Sequence, residues 1–211
     1  MEIGEFEVLP VVQETPVICG VHASDPRRRM WHWLQQVKNM GFSGVNNFPT
    51  HTIVDGKFRS ILEETGMSVK KEFEMIGLAR RMDMFSVVYV DSNEEAIAMA
   101  EAGADAIITH VGTTVGGSIG VVDATISLQE AAKRTQEIID AARTVRDDVI
   151  FLCHGGPINT PEDAAYVLEH SDAVGFVGAS SLERMAVEES LTALTREFKS
   201  IPVKRLGRKV S

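Results

Sequence analysis

The chain has 211 residues, of which 44% are hydrophobic and 24% are charged, and its formal net charge is −9 at pH 7. A chain of this size can bury about 70% of the surface that its unfolded form exposes, so we expect a single domain over residues 1–211. The acidic balance argues against a nucleic-acid-binding protein, because contacts to phosphates need a basic face.

No stretch approaches the roughly eighteen consecutive apolar residues of a membrane span, and the N-terminus lacks the pattern of a secretory signal. Cys19 and Cys153 each lie inside an apolar run, where a small thiol packs well and a disulfide framework is not indicated. These features predict a reduced, cytoplasmic protein without membrane partners.

Strand and helix patterns alternate along the chain. The predicted strands cover residues 17–21, 44–47, 85–90, 106–109, 150–154 and 173–177. Each is apolar throughout instead of alternating, which is typical of parallel strands covered on both faces. The clearest helix covers residues 127–143, where apolar residues recur at steps of three and four.

Helix starts are marked by capping signatures. In each, a Ser or Thr precedes a Glu or Asp by three positions, the spacing of a capping box. The four candidate first residues are Ser92, Ser127, Thr160 and Ser180. They divide the chain into βα units without any linker of changed composition.

Six βα units in a row fit either an open doubly wound sheet or a TIM-type (β/α)8 barrel with two units missing. A dinucleotide-binding doubly wound fold would carry Gly-x-Gly-x-x-Gly after its first strand. This sequence instead has Gly-Val-His-Ala-Ser-Asp-Pro at 20–26. We therefore predict an α/β protein of the barrel type.

Two glycine-containing strand ends predict an anion site. Cys-His-Gly-Gly-Pro occupies 153–157, and Gly-Ala-Ser-Ser occupies 178–181. Glycine lets backbone N–H groups approach an anion, and the last two loops of a barrel commonly hold a substrate phosphate. The predicted contacts to a small anionic metabolite are Gly155, Gly156, Gly178, Ala179, Ser180 and Ser181. An ordinary turn is the alternative for Gly-Gly-Pro.

The longest irregular connection, at 110–125, is rich in glycine and hydroxyl side chains. Long loops in small domains are frequently functional, and this one could close over a bound anion as a lid. Gly116, Gly117 and Ser118 are its candidate substrate contacts. A mobile glycine-rich connector is the alternative.

Polar residues follow the predicted strand ends, which share one mouth in a parallel barrel. His110 and His154 are the first candidates for proton transfer, because an imidazole titrates near neutral pH. Glu64, in the long second connection, is a further candidate acid or base. Asn46 and Asn47 are expected to orient substrate oxygens.

The sequence disfavours a closed zinc site, because the first strand carries no His-x-His. Magnesium is the more plausible ion, since it needs only one or two protein ligands besides substrate oxygens. No pair of ligands can be assigned from the sequence.

Several motifs occurring in order carry a family resemblance. They lie at 44–50, 62–67, 99–105, 116–120, 153–157 and 178–181, and include Asn-Phe-Pro, Cys-His-Gly-Gly-Pro and Gly-Ala-Ser-Ser. Over nearly its whole length the chain resembles the phosphoenolpyruvate hydrolase-like TIM-barrel family, which suggests kinship with phosphoenolpyruvate mutase and isocitrate lyase barrels. The resemblance implies a magnesium-assisted hydrolase or lyase acting on a small phosphorylated or carboxylated acid. The alternative is a non-catalytic, metabolite-binding barrel in signal transduction.

The chain also departs from these patterns. The Lys-Lys-Cys-Gly-His signature of isocitrate lyases is absent, so lyase chemistry is not transferred residue by residue. Members of the family carry two further βα units before the part that this chain resembles, which implies a TIM (β/α)8-type barrel lacking its first two units. Uncovered strand edges would then need a second subunit or a missing N-terminal piece, so we expect a homo-oligomer or a truncated product.

Overall fold

The computed structural model describes residues 2–118, 120–123 and 126–201. Its strands are β1 (Ile18–Gly20), β2 (Gly44–Asn46), β3 (Phe85–Val90), β4 (Ala106–His110), β5 (Ile150–His154) and β6 (Gly175–Phe176). Its α-helices are α1 (Met30–Asn39), α2 (Gly56–Glu64), α3 (Val69–Arg81), α4 (Asn93–Ala102), α5 (Leu128–Arg143), α6 (Pro161–Glu169) and α7 (Ala186–Ser200). Two π-helical segments, Ile3–Val8 and Ser181–Met185, complete the helical structure.

The strands form one parallel sheet in chain order, β1 to β6. Each connection therefore moves by one strand in the same direction, as in a barrel, whereas a doubly wound sheet reverses its order. The prediction of a barrel-type α/β fold is confirmed. β6 pairs over two residues only, fewer than the five predicted.

Three of the four predicted helix caps are confirmed. The hydroxyls of Ser92 and Ser127 each accept the N–H three residues on, and Thr160 forms a complete capping box. The prediction for Ser180 is wrong: its backbone is already helical (φ −53°, ψ −34°) and it makes no capping bond. A side-chain cap requires extended backbone at that position. None of the described helices has the length and apolar character needed to cross a bilayer.

The two faces of the sheet differ in burial. Val88, Ile107 and Phe151 point toward the helices and are at most 2% exposed. Phe85 and Ile150, on the opposite face, are 40% and 44% exposed. Within the described residues β1 and β6 each have one neighbouring strand, so the sheet is open and its inner face is accessible.

The last helix, α7, carries no buried residue. Apolar side chains along it and just after it recur at steps of four and three residues, and each is 51–64% exposed: Val187, Leu191, Leu194, Phe198 and Ile201. We call these five residues the α7 stripe. Their spacing is that of a coiled-coil seam, and the rest of the described chain leaves it uncovered.

The connection between β2 and α2 is anchored by Glu72 of α3, which is fully buried. Its carboxylate accepts hydrogen bonds from Asn47 Nδ2 at 2.6 Å, Thr50 Oγ1 at 2.8 Å and the N–H of His51 at 2.7 Å. Burial raises the pKa of Glu72, and the three hydrogen bonds oppose that change. The connection is thus fixed as one wall of the strand-end mouth.

In the variant Glu72→Gln, one carboxylate oxygen is replaced by an NH2 group, which donates. The groups that it faces are donors as well, so at least one hydrogen bond of the wild type is lost. We expect the free energy of unfolding to fall by about 1–3 kcal/mol, measured by urea denaturation. Glu74→Gln, on the exposed side of the same helix, is the matched control and should change stability by less than about 0.5 kcal/mol. Equal losses in the two variants would contradict the anchoring role.

Candidate active site

A cavity of about 550 Å³ opens at the C-terminal ends of the strands. Its lining comes from inward-facing strand residues, the connection after β2 and the segment after β6: Ile18, Gly20, Asn46, Phe48, Thr50, Ile53, Val87, Tyr89, Ile108, His110, His154, Val177, Ala179, Ser180 and Glu183. Five of these are predicted site residues, namely Asn46, His110, His154, Ala179 and Ser180. The parallel topology brings them together as expected.

His154 ends β5 and is 6% exposed. Its Nδ1 lies 2.7 Å from the carbonyl oxygen of Val177. Because a carbonyl only accepts, Nδ1 carries the proton and Nε2 of the neutral ring has a free lone pair. Burial lowers the pKa of His154, while the bond to Val177 raises it by a smaller amount. The ring is therefore a neutral base.

His110 ends β4 and has the opposite tautomer. The N–H of Gly112 donates to its Nδ1 at 3.4 Å, so the neutral ring carries its proton on Nε2. Burial, followed by the neighbouring His154, lowers the pKa of His110 to about 4. At neutral pH this ring is a hydrogen-bond donor through Nε2.

The two rings are neighbours because His110 and His154 are register partners on β4 and β5. Their centroids are 5.2 Å apart, and Tyr89 contacts the rings edge-on at 5.9 Å and 5.3 Å. We call His110 and His154 the histidine pair. One ring offers an acceptor and the other a donor, a combination suited to general acid–base chemistry.

Another wall is the segment between β6 and the π-helical segment Ser181–Met185. The N–H groups of Ala179 and Ser180 make no hydrogen bond within the described part of the chain, so they are available to a ligand oxygen. Glu183 lines the cavity one turn later. The sequence predicted that Glu183 belongs to a capping box with Ser180, which the structure does not form. Burial, followed by the charge of Glu183, raises the pKa of Tyr89.

The other predicted site residues lie outside the lining of this cavity: Asn47, Glu64, Gly116, Gly117, Ser118, Gly155, Gly156, Gly178 and Ser181. Asn47 is fully buried and bridges β2 to β3 through the N–H and carbonyl of Tyr89, as well as holding Glu72. Glu64 is exposed at the end of α2. The structure thus separates Glu64 from the histidine pair.

Gly155 and Gly156 have positive φ angles of 87° and 55°. The N–H of Gly156 donates to the carbonyl oxygen of Gly112 at 2.7 Å, so this N–H is not free for an anion. A Cβ at Gly155 would collide with that same carbonyl. The pair lets the connection after β5 pack against the connection after β4, which carries the Gly112 N–H that orients His110.

The glycine-rich connection after β4 is attached to the π-helical segment Ser181–Met185 and to α7. Arg184 Nη2 donates to the carbonyl oxygen of Gly116 at 3.2 Å, and the N–H of Ser118 donates to Glu188 Oε2 at 2.8 Å. Ile119, Ala124 and Thr125 lie outside the described residues. The lid role of this connection stays a prediction.

Sequence reasoning missed Phe48 and Thr50 as cavity residues. Both follow β2 in the Asn-Phe-Pro-Thr motif, and their position directly after a strand end was an available signal. For metals, residues 2–118, 120–123 and 126–201 contain no group of three His, Cys, Asp or Glu residues placed to hold an ion. Magnesium binding therefore stays a prediction without assigned ligands.

The model of the phosphoenolpyruvate hydrolase-like family matches residues 1–201. Two curated tomato (Solanum lycopersicum) proteins, the ToMV resistance protein Tm-1(GCR237) and the ToMV susceptible protein tm-1(GCR26), are each 52% identical over 196 residues. The match covers 92% of this chain and 26% of each relative, so the chain spans about a quarter of their length.

Among solved structures, phosphonopyruvate hydrolase in complex with oxalate and Mg++ superposes with a TM-score of 0.50 at 14% sequence identity, covering 90% of this chain and 64% of that one. A 2,3-dimethylmalate lyase of the PEP mutase/isocitrate lyase superfamily gives a TM-score of 0.48 at 8% identity, covering 94% and 87%. The likeness to phosphonopyruvate hydrolase concerns the fold, which agrees with the barrel-type order of the strands.

Proposed function

Because this chain belongs to the phosphoenolpyruvate hydrolase-like family, we propose that it is an enzyme that acts by acid–base catalysis on a small phosphorylated or carboxylated acid. The observation that carries the proposal is the histidine pair, whose opposite tautomers are fixed by backbone groups inside a strand-end cavity. Perturbed acid–base groups in a cleft are typical of catalytic sites.

In the proposed reaction, His154 Nε2 accepts a proton from the substrate or from an attacking water. The Nε2–H of His110 donates to the oxygen on which negative charge develops. Asn46 is held by a hydrogen bond from its Nδ2 to the carbonyl of Val87 at 2.8 Å, which leaves its Oδ1 to orient the substrate. The free N–H groups of Ala179 and Ser180 bind an anionic oxygen.

We propose that the activity be assayed both with and without magnesium. Support comes from the solved phosphonopyruvate hydrolase, which is a complex with oxalate and Mg++. Since the described residues offer no three-ligand cluster, no step of the reaction is assigned to the ion.

His154→Gln removes the base and should lower kcat by roughly 10²–10⁴-fold while substrate binding is kept. The assay follows pyruvate and phosphate release from phosphoenolpyruvate and phosphonopyruvate, with and without magnesium. His32→Gln, on the exposed side of α1, is the matched control and should retain full activity.

The wild-type kcat/KM should stay level as the pH falls through about 6.5, because the pKa of His154 is below its ordinary value.

Equal activity of His154→Gln and the wild type would contradict the role of the base. Ligand binding without turnover in the wild type, across both substrates and both metal conditions, would contradict the enzyme. That second result would favour a metabolite-binding barrel that reports its ligand to an attached partner.

We also propose that the protein forms a homo-oligomer in which a second copy covers the α7 stripe. Each side chain of the stripe is 51–64% exposed, so together they form an apolar surface that a second copy can cover. The regular spacing of the stripe suits antiparallel pairing with an identical stripe about a two-fold axis.

Leu194→Glu puts a charge in the centre of the α7 stripe and should convert the oligomer to a monomer of 23.1 kDa in sedimentation equilibrium. Thr192→Glu, on the same helix but outside the stripe, is the matched control and should leave the oligomer intact. A wild-type protein that sediments as a monomer at micromolar concentration would contradict this proposal.

A further inference from the structure

The main cavity lacks the charge that its proposed ligands require. None of the lysines and arginines that the structure describes lines it, and its histidine pair is neutral at neutral pH. A second cavity of about 140 Å³ adjoins it and shares Ile53 and His110 with it. We call this the side chamber. Its other lining residues are Asp91, Gly112, Thr113 and Arg134.

Arg134 is a partly buried cation without a direct ion pair in the described part of the chain. It lies on α5, its Nη2 donates to the backbone carbonyl of Asp91 at 3.5 Å, and no carboxylate lies within 4 Å of it in the described part of the chain. The other described arginines without an ion pair are all exposed: Arg27, Arg29, Arg81 and Arg196. A charge that is partly withdrawn from water normally has a partner.

The carboxyl group of the side chamber has another partner. Asp91 interacts with Glu95, and burial together with the charge of Glu95 raises the pKa of Asp91 to about 6, against the opposing charges of Arg59 and Arg134. Glu95 is itself paired with Arg59 at 2.6 Å. The charge of Arg59 is thereby balanced by a direct ion pair, whereas Arg134 interacts with the charge of Asp91 without forming one and keeps N–H donors for a ligand.

We propose that the side chamber is a carboxylate subsite, in which Arg134 and the hydroxyl of Thr113 bind a carboxylate of the substrate beside His110. This inference rests on the proposed function and specifies its substrate class. The chamber volume of about 140 Å³ is enough for a carboxylate. The fork of N–H groups on a guanidinium matches a carboxylate in two hydrogen bonds.

The substrate predicted by this arrangement is a small acid that carries a carboxylate next to its reacting centre. His110 lines both cavities, so a carboxylate bound in the side chamber would lie beside the histidine pair. The remaining oxygens of such a substrate would lie in the main cavity, toward Ala179 and Ser180.

Isothermal titration calorimetry with oxalate, with and without magnesium, tests the subsite. Arg134→Gln should lose roughly tenfold or more in affinity, and Arg134→Lys should lose less, because a charge remains without the fork. Arg143→Gln is the matched control: this residue lies in the last turn of the same helix and pairs with Asp172 on the surface. Its affinity should equal that of the wild type, and thermal melting checks that every variant is folded.

The affinity of the wild type for oxalate should also rise as the pH falls through about 6. Protonation of Asp91 then removes the negative charge that faces Arg134, whereas Arg59 and Glu95 stay paired. Asp91→Asn should bind oxalate tightly at neutral pH and show little of this pH dependence.

The outcomes separate the subsite from the enzyme. Oxalate binding that depends on Arg134 supports the carboxylate subsite, whether or not the protein turns over a substrate. A lack of turnover would contradict only the proposal that the protein is an enzyme. If the protein turns over substrate, two results would overturn the subsite and leave the proposed enzyme in place. One is oxalate binding that Arg134→Gln does not change, and the other is a wild type that does not bind oxalate.

Discussion

The chemistry of the cavity depends on two backbone hydrogen bonds to imidazole Nδ1 atoms. The carbonyl of Val177 accepts from His154, and the N–H of Gly112 donates to His110. A carbonyl and an N–H impose opposite tautomers, so two identical side chains become an acceptor and a donor at their Nε2 atoms. Burial keeps both rings neutral, which preserves the difference between them at neutral pH.

The sheet supplies both backbone groups. Parallel register places the ends of β4 and β5 side by side, and the chain after β6 brings Val177 beside β5, where its N–H donates to the carbonyl of Cys153 at 3.0 Å. Gly112 is in turn held by the N–H of Gly156, and Gly155 allows this close approach because a Cβ there would collide with the carbonyl oxygen of Gly112. The Gly-Gly-Pro motif therefore acts on the site through the orientation of His110, and the N–H of Gly156 is used within the protein.

The sequence predicted the parts that follow from periodicity and strand ends. β3 and β5 have their predicted bounds, the (β/α)8-type order is confirmed, and Asn46 and the histidine pair lie at one mouth. Contacts between distant segments could not be predicted. Asn47 follows Asn46 directly but points to the opposite face, where it meets Glu72, and Arg134 lies in the middle of an ordinary amphipathic helix. No local pattern distinguishes such an arginine from a solvated one, since its surroundings come from β3 and β4.

The central claim is that the histidine pair is neutral and has opposite tautomers. Long-range ¹H–¹⁵N NMR spectra of the imidazole nitrogens at neutral pH test it most directly, since protonated and unprotonated ring nitrogens have well-separated shifts. We predict an unprotonated Nε2 in His154 and an unprotonated Nδ1 in His110. The same tautomer in both rings, or a charged imidazolium in either, would contradict the proposed division between base and donor.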